Sequence, residues 1–314
     1  MVKRLLLASP RGYCAGVERA VETVERALAL YGSPVYVRKQ IVHNSHVVED
    51  LRSRGAVFVD ALAEVPEGAT VVFSAHGIAP AVRREADELR LTAIDATCPL
   101  VTKVHAQARR YAEAGYALVL IGHAGHEEVE GTLGEAPDAI VLVQSAEDAE
   151  QVSLTPERPL AYLTQTTLSV DEAGEIVAVL RRRFPHIEGP AREDICYATS
   201  NRQWAVKELL PEIDLLLVVG SPNSSNSQRL VDVARAEAIP AHLVDDLHGI
   251  DESWLAGCET VGLTSGASAP ERLVRDVCDW FAARGAEVCE QRSVHEDVSF
   301  KLPVELRRAE RAAA

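Results

Sequence analysis

Three cysteines stand where an extended or polar segment gives way to a helical pattern. They are Cys14 in "PRGYCAGVERA", Cys98 in "DATCPLVTKVH" and Cys196 in "DICYATSNRQ". Exposed N–H groups at a helix start favour an anion, including a thiolate, so a thiol there is a candidate metal ligand or reactive group. The repeated arrangement predicts three similar βα modules, each contributing one cysteine to a common centre.

Soft sulfur ligands from distant parts of a chain select iron–sulfur clusters or zinc. Three protein ligands instead of four leave one coordination position open, as in catalytic zinc sites. Spacing alone does not identify the metal, because the sequence has no CxxC pair. The other thiols, Cys258, Cys278 and Cys289, lack this context, and we expect them to behave as ordinary small apolar residues.

Three histidines lie at or just beyond probable strands: His43 in "VHNSH", His76 in "SAHGIA" and His126 in "GHAGHEEVEGT". Ligands of parallel α/β sheets bind at the carboxyl ends of the strands, so these side chains are expected to face one site. Any one of them alone is equally compatible with a structural role. We assign that structural role to His46, His105 and His123.

Two further stretches place hydroxyls and amides at probable helix starts. "GSPNSSNSQRL" carries Ser224, Ser225 and Asn226, and "TSGASAPERL" carries Ser268. Such residues are ordinary N-caps, but helix N-termini also bind phosphate through free N–H donors and the helix dipole. Two such loops together with three histidines predict a diphosphate held by neutral donors.

A carboxyl and a hydroxyl group complete the candidate site. Glu128 lies two residues after His126 in a stretch bracketed by glycines, which predicts a loop, and Thr166 follows another strand in "LTQTTLS". A carboxyl enclosed beside an anion has a raised pKa, which suits a proton donor near neutral pH.

Apolar runs rich in β-branched residues must position these groups, and they alternate with helical periodicity along the whole chain. Runs of this kind are typical of buried parallel strands and predict the α/β class. The predicted strands are "RLLLAS", "PVYVRK", "AVFVDA", "TVVFSA", "TAIDA", "ALVLIG", "AIVLVQ", "LAYLTQ", "DLLLVVG", "PAHLVDD" and "TVGLTSG". The predicted helices are 15–31, 81–90, 100–114, 171–184, 200–210 and 270–284.

Composition excludes several classes of protein. The 314 residues carry a formal net charge of −15, which opposes binding to nucleic acid or to anionic membranes. No apolar stretch reaches the roughly 20 residues of a membrane span, and the N-terminal segment is too short for a secretory signal, so we expect a cytoplasmic protein. Six cysteines are too few for a disulfide scaffold, which favours metal or redox use.

Nine motifs in fixed order make the chain resemble the 4-hydroxy-3-methylbut-2-enyl diphosphate reductase family up to about residue 305. The motifs are "PRGYCAGVERA", "VHNSHVVEDL", "FSAHG", "DATCPLVTKVH", "GHAGHEEVEGT", "TQTTLSVDE", "DICYATSNRQ", "NSSNS" and "TSGASAP". The resemblance implies a trefoil of three α/β modules with mainly parallel sheets around a central iron–sulfur cluster. The predicted modules are 1–97 with Cys14, 98–193 with Cys98 and 194–285 with Cys196, followed by a tail, 286–314.

The resemblance also implies roles for the candidate residues. Cys14, Cys98 and Cys196 would hold one 4Fe–4S cluster per chain, and the fourth iron, without a protein ligand, would take the substrate's hydroxyl. Thr166 would lie near that hydroxyl and Glu128 would supply the proton. The diphosphate would be bound by His43, His76, His126, Ser224, Ser225, Asn226 and Ser268.

The implied reaction is a two-electron, two-proton reductive dehydroxylation that gives isopentenyl and dimethylallyl diphosphate, the last step of the non-mevalonate pathway. An external ferredoxin or flavodoxin is the expected electron donor, since no nicotinamide or flavin fingerprint is present. Two residues depart from the family pattern: Glu127 replaces a frequent Pro, and Pro222 stands where Lys is often found.

The residues alone leave two other functions open. One is a hydrolase with zinc held by cysteine and histidine, which the absence of HExxH and paired CxxC motifs disfavours. The other is a binding protein that senses a diphosphate or iron without turnover, which the placed carboxylate disfavours.

Overall fold

The computed structural model describes residues 2–154 and 158–313. Each of the eleven apolar runs forms a strand there, and a twelfth strand follows near the C-terminus. The strands are β1 (Arg4–Ser9), β2 (Val35–Arg38), β3 (Ala56–Val59), β4 (Thr70–Phe73), β5 (Thr92–Asp95), β6 (Ala117–Ile121), β7 (Ile140–Val143), β8 (Leu160–Thr164), β9 (Leu215–Val219), β10 (Ala241–Val244), β11 (Thr260–Ser265) and β12 (Glu287–Arg292).

The six predicted helices are present with ends shifted by at most a few residues. The helices of the described residues are α1 (Ala15–Tyr31), α2 (Ser45–Ser53), α3 (Pro80–Glu88), α4 (Pro99–Glu113), α5 (Glu127–Leu133), α6 (Ala146–Gln151), α7 (Val170–Arg183), α8 (Tyr197–Leu209), α9 (Ser225–Ala236), α10 (Glu271–Ala282) and α11 (Val304–Ala313). Of the helices that were not predicted, α2, α5 and α6 span nine residues or fewer, too few to show helical periodicity clearly, and α11 lies in the segment predicted as a tail. No helix in this described part is both long and apolar enough to cross a membrane.

One compact unit comprises Met1–Val17, His43–Val48 and Tyr197–Ser299. Its five-stranded sheet has the order β10-β9-β11-β1-β12, and every pair is parallel. Strand β1 is covered on both faces. Leu5 and Leu7 pack in the same core as Phe281 of α10, whereas Leu6 packs with Leu209 of α8. Burial on both faces explains why these strands are continuous apolar runs.

The second compact unit comprises Glu18–Val42, Glu49–Cys196 and Phe300–Ala314. It contains two further parallel sheets, with the strand orders β3-β2-β4-β5 and β7-β6-β8. Beyond β8, Glu188 forms an isolated parallel bridge with Ala161. The chain therefore contains three parallel α/β sheets, as the sequence predicts.

Strand pairing differs from the predicted module boundaries in where the cysteines belong. The strand before Cys14, β1, pairs with β11 of the five-stranded sheet. The strand before Cys98, β5, pairs with β4 of the four-stranded sheet. The bridge at Glu188, which precedes Cys196, joins β8 of the three-stranded sheet. Cys98 and Cys196 thus follow the last extended segment of a sheet along the chain, whereas Cys14 follows β1, which lies inside its sheet. Each cysteine precedes the helix that leaves the sheet, and the predicted boundaries place the cysteine in the same module as that helix.

Strand β12 lies in the segment predicted as a tail, and it pairs with β1 over six residues. Its side chains are mostly exposed or half-buried, because it forms the edge of the sheet. An edge strand needs no continuous apolar run, so the sequence pattern gives no signal for it.

Ser227 of α9 fixes this helix closely against the sheet of the first unit. Its side chain is fully buried between Gly220, which follows β9, and Gly266, which follows β11. A Cβ on Gly266 would lie 2.0 Å from the Ser227 Oγ. We therefore expect Gly266→Ala to lower the free energy of unfolding by about 1–3 kcal/mol through overpacking.

Gly174→Ala is the matched control, since nothing lies within 4 Å of a Cβ at this exposed position of α7. It should raise the free energy of unfolding by about 0.5–1 kcal/mol, because alanine favours the helix. Urea denaturation of both variants measures the difference, and equal effects of the two changes would contradict the packing argument.

Candidate functional site

The three predicted ligand cysteines share one backbone contact. Each donates its N–H to the carbonyl of a loop that follows a neighbouring strand: Cys14 to Ala267 at 3.3 Å, Cys98 to Ala75 at 2.9 Å and Cys196 to Thr166 at 3.0 Å. The three acceptors occupy equivalent positions, two residues after the ends of β11, β4 and β8. The same local construction therefore occurs three times, in each case within one compact unit.

Each acceptor loop also carries a predicted substrate-binding residue. His76 follows Ala75, Ser268 follows Ala267, and Thr166 is itself an acceptor. Parallel pairing brings the carboxyl ends of adjacent strands to one edge of a sheet, which is where ligands bind in this class of fold. Each cysteine is thereby tied to a segment predicted to touch substrate.

These three thiols differ from the other three in position. Cys14 and Cys196 directly precede α1 and α8, and Cys98 is the N-cap of α4. All three are half-buried and free of disulfide bonds. A helix N-terminus presents free N–H groups beside each sulfur, and a thiolate is the form of cysteine that ligates metal. These residues therefore fit the soft, anionic ligand set of an iron–sulfur cluster.

The other three cysteines are poor ligands. Burial raises the pKa of Cys278, within α10, to about 11, and it also raises the pKa values of Cys258 and Cys289. The Cys258 thiol donates to the carbonyl of Trp254 at 3.5 Å. A raised pKa disfavours the thiolate, so these residues have the apolar role expected of them.

Glu128 is buried in the second unit, and its carboxyl group accepts two hydrogen bonds from Thr166. Thr166 donates its N–H to Glu128 Oε1 at 2.6 Å and its hydroxyl to Oε2 at 3.0 Å. Burial raises the pKa of Glu128 to about 7, although the hydrogen bonds from Thr166 lower it in part. The nearby Asp194, whose pKa is also raised by burial, adds repulsion between like charges. The carboxyl group can therefore carry a proton at neutral pH.

Glu128 does not lie in a loop, as the glycines around it had predicted. It is the second residue of α5, whose N-cap is His126. The Nδ1 of His126 accepts the N–H of Glu128 at 3.2 Å, which places the ring proton of a neutral imidazole on Nε2. This capping bond orients His126 as a hydrogen-bond donor through its other nitrogen.

Glu127, the residue that departs from the family pattern, makes contacts that the sequence does not reveal. Its carboxylate accepts from the Ser74 hydroxyl at 3.1 Å and lies 3.4 Å from His76 Nδ1. The rings of His76 and His126 meet edge to face with centroids 5.7 Å apart. Burial lowers the pKa of His76 to about 4, so this histidine is neutral at physiological pH.

The first unit groups the remaining predicted residues. Ser224 caps α9, and Ser225 and Asn226 form its first turn. The Asn226 amide is fixed on both sides: it accepts from Ala267 N–H at 2.8 Å and donates to the Thr199 hydroxyl at 3.2 Å. Asn226 therefore connects the start of α9 to the loop that accepts from Cys14.

Two further predicted residues meet in this unit. The Ser268 hydroxyl donates to the carbonyl of His43 at 2.8 Å, and His43 Nδ1 lies 3.4 Å from the Asn223 amide nitrogen. Ser221, absent from the predicted set, accepts from the N–H of Ser45 at 3.0 Å at the start of α2. Ser221 could have been included among the candidate residues from the sequence, because it lies in the strand-to-helix loop after β9 that carries Ser224.

The three histidines assigned structural roles have acidic neighbours. His105 Nδ1 lies 2.7 Å from Glu135, His46 Nε2 lies 3.0 Å from Asp246, and His123 Nε2 lies 3.6 Å from Glu172.

This fold is that of a known protein family. The model of the LytB protein family matches residues 5–282, and the chain belongs to that family. Curated relatives named 4-hydroxy-3-methylbut-2-enyl diphosphate reductase include one from Acidothermus cellulolyticus, 60% identical over 98% of this chain and 91% of the relative. Another, from Nocardia farcinica, is 59% identical over 98% of this chain and 93% of the relative.

Solved structures agree with this family assignment. The E-1-hydroxy-2-methyl-but-2-enyl-4-diphosphate reductase from Plasmodium falciparum is 39% identical and covers 100% of this chain and 99% of its own, with a TM-score of 0.97. A second, described as the terminal enzyme of the non-mevalonate pathway, has a TM-score of 0.63 at 31% identity over 90% of this chain. The predicted family and fold class are confirmed.

Thr166→Val tests the hydrogen bonds that hold Glu128. A hydrogen bond to the ionised carboxyl lowers its pKa, so removal of the Thr166 hydroxyl should raise the pKa of Glu128 above its value of about 7. Infrared titration of the carboxyl band measures the shift, and the band is assigned by its loss in Glu128→Gln.

Thr164→Val is the matched control for this titration. The Thr164 hydroxyl is buried and has no hydrogen-bond partner among the described residues, so its removal should leave the Glu128 titration unchanged. A fall in the Glu128 pKa on Thr166→Val, or the same shift in both variants, would contradict this arrangement.

Proposed function

We propose that this chain catalyses the reductive dehydroxylation of 4-hydroxy-3-methylbut-2-enyl diphosphate. The allylic C–O bond breaks, a C–H bond forms, and the oxygen leaves as water, which consumes two electrons and two protons. The products are isopentenyl and dimethylallyl diphosphate. This is the activity for which the curated relatives are named.

The observation that carries this proposal is the double role of Thr166. Its N–H and hydroxyl hold the buried Glu128, and its carbonyl accepts from the N–H of Cys196. One residue thus connects a protonatable carboxyl to a predicted metal ligand. A reductive C–O cleavage needs a proton donor and an electron source side by side, and this connection supports both.

For the metal centre, we propose that Cys14, Cys98 and Cys196 ligate one 4Fe–4S cluster per chain through their thiolates, with no protein ligand on the fourth iron. The repeated helix-start position of these thiols supports the assignment. When bound, such a cluster supplies electrons singly and a Lewis acid toward the substrate's hydroxyl.

We assign the diphosphate to a local set of neutral donors, which must bind it against the field of a chain with a net charge of −15. The start of α9 offers N–H groups together with Ser224, Ser225 and Asn226, and Ser268 adds a hydroxyl. Neutral His76 donates through a ring N–H group, His126 donates through its Nε2, and His43 completes the proposed set. Neutral donors bind the anion without the desolvation penalty of buried lysine or arginine.

Thr166 and Glu128 act on the other end of the substrate. The Thr166 hydroxyl orients the substrate's hydroxyl group or the carboxyl beside it, and Glu128 delivers the proton that lets water leave. Because burial raises the pKa of Glu128 to about 7, the donor form is substantially populated at neutral pH.

The electrons are assigned to an external one-electron donor of the ferredoxin or flavodoxin class. We place the reaction in the cytoplasm, where reducing conditions suit a chain whose six cysteines form no disulfide bond.

Glu128→Gln tests the proton donor. Turnover should fall by about 10²–10⁴-fold, since an amide cannot supply the proton, while binding of the diphosphate persists. In the wild type, kcat should fall as pH rises through about 7, because Glu128 loses its proton there, and this dependence should vanish in the variant.

Glu130→Gln, an exposed position on the same helix, is the control and should retain wild-type kinetics. Steady-state rates with a chemical reductant and substrate-binding calorimetry separate the two effects. Unchanged turnover in Glu128→Gln would reject its role.

Cysteine variants test the metal assignment. Anaerobic Cys98→Ser should lose most iron and sulfide, because the hydroxyl is a poor ligand for iron, whereas Cys258→Ser should match the wild type. Elemental analysis and visible absorption are the measurements. Loss of the cluster in Cys258→Ser would show that the wrong thiols were assigned, and stoichiometric zinc in a colourless wild type would favour a zinc hydrolase.

A further inference from the structure

Each helix that begins after a predicted ligand cysteine carries a cation about one and a half turns later. Arg19 follows Cys14 by five residues, Lys103 follows Cys98 by five, and Arg202 follows Cys196 by six. Their contacts lie within the compact units already described, and each cation binds backbone carbonyl groups of a loop that leads to a cysteine.

Arg202, on α8, is fully buried. Its guanidinium donates to the carbonyl of Gly12 at 2.7 and 3.2 Å and to that of Tyr13 at 3.4 Å. These two residues immediately precede Cys14. Glu296 lies with an oxygen 3.1 Å from Nη1, so an ion pair helps to fix the charged guanidinium in place.

Arg19, on α1, makes the equivalent contacts in the second unit. Its Nη1 donates to the carbonyls of Ala96 at 2.9 Å and Thr97 at 3.0 Å, the two residues before Cys98. Its Nε donates to the carbonyl of Lys301 at 2.7 Å. The side chain is 9% exposed, so the charge lies in a medium that screens it weakly.

Lys103, on α4, contacts the approach to Cys196. Its ammonium donates to the carbonyls of Arg192 and Glu193, both at 2.9 Å, and to Asp194 Oδ1 at 3.1 Å. The Asp194 side chain is fully buried, whereas that of Lys103 is 32% exposed. Because Asp194 also accepts the N–H of Thr164 at 3.3 Å, this contact reaches the end of β8, next to the loop that holds Glu128.

The three contacts follow a closed order along the chain. The helix after Cys14 holds the loop before Cys98, the helix after Cys98 holds the loop before Cys196, and the helix after Cys196 holds the loop before Cys14. A buried cation that only stabilises the fold has no need to recur at this spacing three times. The shared feature of the three sites is the cysteine.

We propose that Arg19, Lys103 and Arg202 are positioning residues for the iron–sulfur cluster, an inference that rests on the proposed function. They fix the carbonyls of the three ligand loops and place positive charge beside the thiolates. Reduction adds negative charge to the cluster, so nearby cations stabilise the reduced state and raise the reduction potential. Fixed loops also slow the release of iron.

Lys103→Met tests the proposal on the cluster-loaded protein, because methionine retains an apolar stem of similar length and the partial exposure of Lys103 favours a folded variant. Release of iron to a chelator should be about tenfold faster, within the range known for lost partners of metal ligands. The midpoint potential, from a reductive titration followed by electron paramagnetic resonance, should become more negative. Lys103→Arg should restore both properties.

Lys3→Met is the control, since Lys3 pairs with Glu259 at 2.9 Å on the surface and precedes β1, whereas Cys14 lies beyond the other end of that strand. It should match the wild type in both measurements. If Lys103→Met does not fold, Arg19→Lys, which retains charge but loses the forked donor geometry, should release iron faster with a nearly unchanged potential.

The outcomes separate this proposal from the proposed function. A wild type that holds a cluster, together with a Lys103→Met variant that only melts earlier and keeps the wild-type potential and iron-release rate, overturns the positioning role alone. A wild type that holds no cluster after anaerobic reconstitution overturns both.

Discussion

The amide hydrogen bond from each proposed ligand cysteine to the loop of a neighbouring strand is the constraint on which the proposed site depends. It exists because strands in a parallel sheet end at one edge, so a loop that carries a thiol and a loop that carries a substrate-binding group leave the sheet side by side. The bond recurs at Cys14, Cys98 and Cys196 with N···O distances of 2.9–3.3 Å. A thiol displaced from this position would lose both its helix start and its connection to the loops that carry the proposed substrate-binding residues.

Electrostatics explains why the site uses so few charges for an anionic substrate. The chain is strongly acidic, and burial raises the pKa of Glu128 and lowers that of His76, so both groups approach neutrality near pH 7. A neutral carboxyl beside neutral imidazole and hydroxyl donors can receive a diphosphate with little repulsion. In the proposed function, the same burial that lets Glu128 lie near the anion also lets it donate a proton, so binding and proton transfer would depend on one physical cause.

The sequence predicts the elements of the fold well, because fully buried parallel strands are unbroken apolar runs and the long helices are strongly periodic. It fails at β12, an edge strand with exposed side chains, and at α5, whose seven residues contain a glycine that suggested a loop. Candidate residues were found from their types and motifs. The contact of Glu127 with His76, the two partners of Thr166 and the carbonyls held by Lys103 join residues distant in sequence, which no local pattern reveals.

Mössbauer spectroscopy of freshly prepared anaerobic protein, with and without the allylic diphosphate, tests the central claim most directly: that three cysteines hold one cluster with a single iron left for substrate. The account predicts a 4Fe–4S signal in which one iron site differs from the other three and changes alone when the diphosphate is added. A spectrum in which all irons are equivalent and none responds to the diphosphate, or a protein that contains zinc instead of iron, would contradict it.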